Sequence, residues 1–429
     1  MGASALRVVR IKAPGLLIAR IAERRFRKRD GTRFPAFGFA SPARKATIAM
    51  LRNPADTTAV AVKTASCAEL FVQARVAGGG TDCQGLQLAL QPHGMSLMPS
   101  VTTHASRQLG TAGPKVFPLA LGCMGMSGMY GPANDDESIS TIHMALDSGV
   151  TLLDTGDFYG VGQNELLLAR ALKMRRNQAL LSVKFGALRA PNGAWLSYDA
   201  RPVAVKNFLA HSLTRLGVDH IDIYRPARLD PQVPIEDTIG AIADMVTAGY
   251  VCAIGLSEVG VETIHRAHAV HPICDLQIEY SLISRGPERK IFPVLSQLGI
   301  GITAYGVLSR GLLSGSKPAA QGDVRAHMPR FMGENLAHNA SLVAALNALA
   351  EEKRIRPAQL AIAWALAKCE SVVPVIGART RTQLEESLAA LDVRLTPTEI
   401  AELENAVPAS SVAGSRYAEA QMEHLDSER

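Results

Sequence analysis

Six cysteines in 429 residues, Cys67, Cys83, Cys123, Cys252, Cys274 and Cys369, never fall into CxxC or CxxH spacing. This excludes a disulfide-stapled scaffold and a short-spaced structural zinc site, and it fits a reducing compartment. No stretch reaches the 18 apolar residues of a membrane-spanning helix; the longest uncharged run, Cys83 to Ser106, is rich in Gln, Ser, Thr and Gly. The GxGxxG turn that opens a doubly wound dinucleotide-binding sheet is missing. Gly78-Gly79-Gly80 neither follows a strand pattern nor opens a helix, so it reads as a linker and no phosphate loop. What the chain does have is apolar residues, 47% of the total against 20% charged, enough for a large core.

The net charge of +6 is unevenly placed. Residues 1–100 hold 15 basic and 5 acidic residues, including Arg24-Arg25-Phe26-Arg27-Lys28-Arg29; the other 329 hold 30 and 34. The basic balance belongs to the first quarter alone, so a nucleic-acid surface is not expected on the main body. Residues 1–100 lack clear periodicity and are expected to form a basic extension without a fold of its own. An Arg-rich, acid-poor transit peptide in residues 1–30 and a nucleic-acid or acidic-membrane arm are the alternatives. The expected location of the protein is cytoplasmic.

From about Arg107 the texture changes. Apolar runs of strand length recur at Leu119–Met124, Thr151–Thr155, Leu180–Phe185, Ile221–Arg225, Val251–Ser257, Asp275–Tyr280, Gly301–Tyr305 and Ser371–Gly377. Amphipathic helical patterns lie between them at Asp136–Ser148, Asn164–Lys173, Pro202–Leu216, Ile235–Ala248, Val261–His268 and Glu288–Leu298. Ser341–Lys353 and Pro357–Lys368 follow the seventh run, and Thr380–Leu391 follows the eighth. Eight alternating units in roughly 300 residues predict a closed (β/α)8 TIM barrel over residues 101–429.

Such a barrel carries its chemistry at the C-terminal ends of its strands. The second run ends in Asp154-Thr155-Gly156-Asp157-Phe158-Tyr159-Gly160 and the third in Val183-Lys184-Phe185. A tyrosine hydroxyl, with a reference pKa of about 10, is a poor acid near neutrality. A neighbouring ammonium favours the phenolate, and a carboxylate can hold that ammonium in place, so Asp154, Tyr159 and Lys184 form a coherent proton donor. His211, His220, His265, His268 and His271 lie on helical or connecting stretches and are read as surface or cap residues.

These residues resemble the aldo-keto reductase superfamily. The likeness rests on Arg107-Gln108-Leu109-Gly110 with Gly113-Pro114-Lys115-Val116, similar to the hairpin that closes the barrel bottom. It extends through Asp154–Gly160 with Gly162-Gln163-Asn164-Glu165, Val183-Lys184, Ile223-Tyr224, Arg228-Leu229-Asp230-Pro231 and Gly255-Leu256-Ser257-Glu258. It continues in Gln277-Ile278-Glu279-Tyr280-Ser281, Tyr305–Gly311, Gly377-Ala378-Arg379-Thr380 and Gln383–Glu386.

The resemblance implies reduction of aldehydes or ketones with NADPH, with Tyr159 as proton donor, Lys184 as its modulator and Asp154 orienting Lys184. It also implies that Ser257 and Gln277 hold the nicotinamide carboxamide, with Glu258 where relatives carry Asn, and that Tyr280 stacks under the ring. Tyr305, Leu308, Ser309, Arg310 and Gly377 belong to the same cofactor set, the middle three near the pyrophosphate. Arg379 is assigned to the adenosine 2′-phosphate, and Gln383 and Glu386 to the adenine side.

One position departs from the family. Where a Tyr-x-x-His pattern places an active-site His, this chain reads Tyr224-Arg225-Pro226-Ala227. Arg225 or a water could take the role, the enzyme could favour activated carbonyls, or the chain could be an NADPH-bound sensor or auxiliary subunit with little turnover. Met129, Tyr130, Phe158, Trp195, Tyr198 and Arg225 are the expected substrate-pocket residues. The long segment Leu312–His338 is expected to fold over the cofactor as a flap. No metal, nucleic acid or membrane partner is expected for the barrel.

Overall fold

The computed structural model describes residues 104–318 and 323–429, together with the backbone of six short strands within residues 24–88. The chain divides into two compact units, Met1–Ser100 and Val101–Arg429. In the first, Arg24–Arg27 pairs antiparallel with Arg33–Ala36. Thr47–Arg52, Thr58–Lys63, Glu69–Arg75 and Gln87–Leu88 form a four-stranded antiparallel meander. The sequence reading expects no regular structure here, but Thr58, Val60 and Val62 alternate with small residues, a period-two pattern suited to a strand. The rest of residues 1–103, including most of the transit-peptide-like segment, lies outside the described residues.

In the second unit, eight parallel strands close into a barrel. They are β1 (Ala120–Gly122), β2 (Leu152–Gly156), β3 (Leu180–Phe185), β4 (Ile221–Pro226), β5 (Val251–Ser257), β6 (Ile273–Glu279), β7 (Gly301–Tyr305) and β8 (Val372–Gly377). β8 pairs back onto β1 through Ile376 opposite Leu121. The helices follow the strands in the expected alternation: α1 (Asp135–Asp147), α2 (Gln163–Leu172), α3 (Pro202–Leu216), α4 (Ile235–Thr247), α5 (Val261–Val270) and α6 (Pro287–Leu298). Two, α7 (Gly333–Glu352) and α8 (Pro357–Lys368), separate β7 from β8, with α9 (Arg381–Leu388) and α10 (Pro397–Ala406) after it. None of the described helices is long and apolar enough to cross a membrane. α7 starts eight residues before the predicted Ser341, so the segment expected as a flap ends at Met332 and is shorter than its sequence suggests.

A hairpin, Arg107–Gln108 against Lys115–Val116, plugs the barrel bottom as expected. Leu109 beside it is fully buried with Leu152, Ile223, Cys274 and Val373. Its turn needs glycine: at Gly110 φ is 64°, and a Cβ would stand 2.2 Å from the Cys274 carbonyl oxygen.

Side chains alternate in and out along a strand, so residues two apart form successive layers of the barrel interior. Leu152 and Ile223 pack in the bottom layer, and the next interior position on the Ile223 strand is Arg225. The second layer is therefore polar. Arg225 Nη1 donates to Asp275 at 2.8 Å and Nη2 to Ser182 Oγ at 3.0 Å, while Thr303 Oγ1 donates to Asp275 at 2.5 Å. Gly255 makes the space for this pair, because a Cβ there would meet Asp275 Oδ1 at 2.7 Å and Arg225 Cζ at 2.9 Å.

Candidate active site

The layer above holds the expected proton donor. Lys184 Nζ donates to Asp154 Oδ1 at 2.5 Å and to Gln277 Oε1 at 3.0 Å. The other Asp154 oxygen accepts from Ser182 Oγ at 2.9 Å and Gln277 Nε2 at 2.7 Å. Asp154 and Lys184 are diagonal neighbours on adjacent strands, since β2 and β3 pair Asp154 with Ser182 and Gly156 with Lys184. Tyr159 follows β2 in a turn whose Gly160 and Val161 both have positive φ, 55° and 53°, and its ring sits 5.3 Å from Lys184 Nζ. Phe158 packs edge-on against Tyr159 at 4.8 Å and against Trp195 at 5.6 Å.

These groups open into a cavity of about 490 Å3. Asp154, Tyr159 and Lys184 line it, as do Ser257, Gln277, Tyr305, Leu308, Arg310, Gly377, Arg379, Gln383 and Glu386 from the expected cofactor set. Met129, Tyr130, Phe158, Trp195 and Tyr198 from the expected substrate set line it too. The segment expected as a flap contributes Val324, Arg325 and Met328, and it joins the β1 loop through Val324 N, which donates to the Met129 carbonyl at 3.2 Å.

Four expected site residues lie elsewhere. Tyr280, one position past the end of β6, points outward: its hydroxyl donates to Glu288 at 2.6 Å and its ring packs on Phe292 and Trp364 at 4.8 and 5.1 Å. Arg225 is 0% exposed and bonded to Asp275 and Ser182 in the layer below, so it cannot reach a carbonyl in the cavity. Glu258, in a left-handed conformation at φ 53°, is turned away and bound to the C-terminal tail, to Arg416 at 2.9 and 3.1 Å and Ser427 Oγ at 2.6 Å. Ser309 is buried just outside the lining, with φ 46° and an Oγ that finds no protein partner.

Sequence reasoning missed Arg228 and the tail residues Tyr417, Gln421 and Leu425, all of which line the cavity. Arg228 adjoins the position where the family carries His, which was a usable signal. The tail had none, being irregular and far from any strand end. Ala227 itself is buried and its amide donates to the Phe185 carbonyl at 2.8 Å, so it anchors the loop and does not face the cavity.

The charges around Tyr159 act differently from the expectation that Lys184 depresses its pKa. Burial first, and then the charge of Asp154, push the phenol well above its ordinary value, while Arg228 acts in the lowering direction. Burial likewise pulls the Lys184 ammonium below its usual range, although Asp154 opposes this. Asp157, beside the tyrosine, is raised to about 7 by burial and by the charge of Glu165.

A parallel (β/α)8 barrel with a buried Lys–Asp pair and a tyrosine at its mouth defines the class of nicotinamide-dependent oxidoreductases built on that barrel. The model of the Aldo/keto reductase family matches residues 118–408. A Glycine max protein described as "Probable aldo-keto reductase 1" is 40% identical over 316 residues, covering 72% of this chain and 91% of its own. The glycerol dehydrogenase AKR11B4 from Gluconobacter oxydans is similar in structure, with a TM-score of 0.64 and 26% identity over 70% of this chain and 94% of its own. An aldo-keto reductase from Bacillus halodurans, solved in its holo form, has a TM-score of 0.60 and 27% identity over 71% and 96%. The chain belongs to the aldo/keto reductase family, and its activity is carbonyl reduction with a nicotinamide cofactor.

Proposed function

We propose that the protein reduces aldehydes or ketones to alcohols with NADPH, with Tyr159 as the proton donor. The observation that supports this best is the convergence of Asp154, Tyr159 and Lys184 at one cavity, with Gln277 bridging the two charged groups.

The cavity and the turn at its edge offer donors to a dinucleotide phosphate. Ser309 Oγ is buried without a partner, and the Ser309–Arg310 turn holds φ of 46° and 56°, a strained conformation of the kind found where backbone approaches an anion. Arg379 lines the cavity with its guanidinium on the carbonyls of Tyr130 (2.9 Å) and Pro132 (3.4 Å), and no described carboxylate neutralises it. It is the group assigned to the 2′-phosphate, where a guanidinium fork is well matched. Arg310 is spent on Glu279 at 2.8 Å, so the pyrophosphate is left to backbone and hydroxyl donors. Tyr305, with its hydroxyl fixed by Glu258 at 2.7 Å, takes over from Tyr280 as the flat ring against the nicotinamide.

When bound, the cofactor supplies the hydride that goes to the carbonyl carbon. The chain's own residues handle the oxygen. Tyr159 stays a neutral phenol across the physiological range because burial raises its pKa, so its proton is in place when a substrate arrives. As negative charge grows on the carbonyl oxygen, Tyr159 passes it that proton, and the ammonium of Lys184, 5.3 Å from the centre of the tyrosine ring, offsets the charge of the phenolate left behind. The Asp154 contact keeps Lys184 aimed at the tyrosine rather than at solvent.

The test is NADPH oxidation over a panel of aromatic and aliphatic aldehydes and ketones, with Tyr159→Phe as control. Turnover that disappears in the control supports the reading; equal turnover in the control removes Tyr159 as the acid. Ala227 in place of the family His favours a second reading, an NADPH-bound sensor. Tight NADPH binding without turnover on any panel member would carry that reading instead.

A further inference from the structure

The cavity contains four arginines; two are paired with carboxylates, and a third, Arg379, is the one proposed above for the 2′-phosphate. Arg310 is paired with Glu279 at 2.8 Å, and Arg325 is paired with Asp323 at 2.6 Å. Arg379 rests on the Tyr130 carbonyl. Arg228 makes no ion pair within 4.0 Å with a described carboxylate: its one described hydrogen bond runs from Nη1 to Ala227 O at 2.6 Å, and the charge of Glu258, itself held by Arg416 and Ser427, reaches it only at longer range. Its remaining N–H groups, on Nη2 and Nε, have no described hydrogen-bond partner.

Taking a guanidinium out of bulk water is costly, and the Glu258 charge that favours Arg228 comes from a carboxylate already bonded to Arg416 and Ser427, so Arg228 has no carboxylate of its own to bond. The surrounding backbone is fixed on both sides. Ala227 N donates to the Phe185 carbonyl at 2.8 Å. Asp230 accepts from Ala200 N at 3.1 Å and from Gln232 N at 2.9 Å. The loop that carries Arg228 is therefore held rigidly, and the guanidinium is presented with little freedom to swing out to solvent. Its neighbours in the cavity are aromatic: Tyr198, Trp195, and the ring of Tyr417, whose centroid is 6.0 Å from Arg228 Cζ.

We propose that Arg228 receives the carboxylate of the substrate, so that the protein acts on carbonyl acids whose remaining body is aromatic or apolar. The proposal rests on the reductase reading above and adds its substrate class. An unpaired fork matches a carboxylate's two oxygens through parallel hydrogen bonds, and the aromatic wall takes the apolar body. The same positive charge lies next to Tyr159, where it opposes the rise that burial imposes on the phenol.

Two measurements test this, one independent of turnover. Benzoate binding to the NADP+-loaded protein is titrated calorimetrically in the wild type, Arg228→Gln and Arg228→Lys, with NADP+ affinity in the same samples reporting that each variant is folded. Benzoate affinity should fall at least tenfold in Arg228→Gln and be partly kept in Arg228→Lys. In parallel, kcat/KM is compared for 4-carboxybenzaldehyde and its methyl ester. The wild type should prefer the acid at least tenfold, and the ratio should collapse toward one in Arg228→Gln, mainly through KM.

Benzoate affinity that is unchanged by Arg228→Gln, or a wild type that favours the ester, overturns the proposal. If benzoate binds in an Arg228-dependent way but neither aldehyde is reduced, the anion site stands and the reductase reading fails.

Discussion

Arg225 Nη1 and Asp275 Oδ2 lie 2.8 Å apart with neither side chain reaching solvent, and Ser182 links this pair to Asp154 one layer above. The catalytic carboxylate therefore rests on a buried ionic layer. Breaking a buried pair leaves one charge uncompensated, typically at a cost of about 3–5 kcal/mol. Asp275→Asn should lower the urea-unfolding free energy by that order, with NADPH oxidation falling as Asp154 loses its support. An Arg225→Met/Asp275→Leu double variant should recover much of the stability. A double variant as unstable as the single would show that Arg225 is not stranded in Asp275→Asn.

Arg379→Ala should weaken NADPH far more than NADH. A charge-assisted fork onto a phosphate contributes about 1.5–3 kcal/mol, or roughly 10- to 150-fold. Fluorescence titration with both dinucleotides reads the difference directly. Equal losses would place Arg379 away from the 2′-phosphate.

Asp157 gives a pH dependence with a definite sign. Its carboxyl is raised to about 7 from an ordinary 3.8, because burial and the Glu165 charge disfavour ionisation. The folded chain thus binds this proton more tightly than the unfolded chain. The stability it confers is complete below about pH 4 and is lost as pH rises to about 7, by up to about 4 kcal/mol at about 1.4 kcal/mol per pKa unit. Urea-unfolding free energies measured from pH 5 to 8 should decline over that window and level off above it. In Asp157→Asn the decline should be shallower; an unchanged slope would assign it to other groups.

Glu258 holds the tail. Although burial opposes its ionisation, Arg416 keeps its carboxyl well below the usual range. Glu258→Gln should loosen residues 416–425, of which Tyr417, Gln421 and Leu425 line the cavity. Trypsin cleavage after Arg416, a buried residue in the intact protein, should accelerate severalfold, and KM for carbonyl substrates should rise. Cleavage at the wild-type rate would mean that Glu428 and Glu279, at 2.6 and 3.4 Å from Arg416, suffice to hold it.

The barrel was legible because eight apolar runs alternate with helical patterns, and because a lysine and an aspartate at adjacent strand ends announce a shared site. The misses have local causes. Tyr280 lies one residue beyond Glu279, and a single step along an extended chain turns a side chain to the opposite face. Glu258 takes a left-handed turn that spacing does not reveal. Arg225 stands on the interior face but one layer too low. The tail reaches the site through tertiary contacts alone, which no periodicity encodes.

Ser427 and Arg416 fasten to Glu258, which also holds the hydroxyl of Tyr305 at the end of β7. The mouth of the barrel is thus finished by residues that follow its last strand in the chain. A nascent chain halted just short of Arg416 would possess every strand and the Lys184–Asp154 pair, yet would lack Tyr417, Gln421 and Leu425 from one wall. Docking of the segment after the last barrel strand, and not closure of the barrel, is what encloses the cavity.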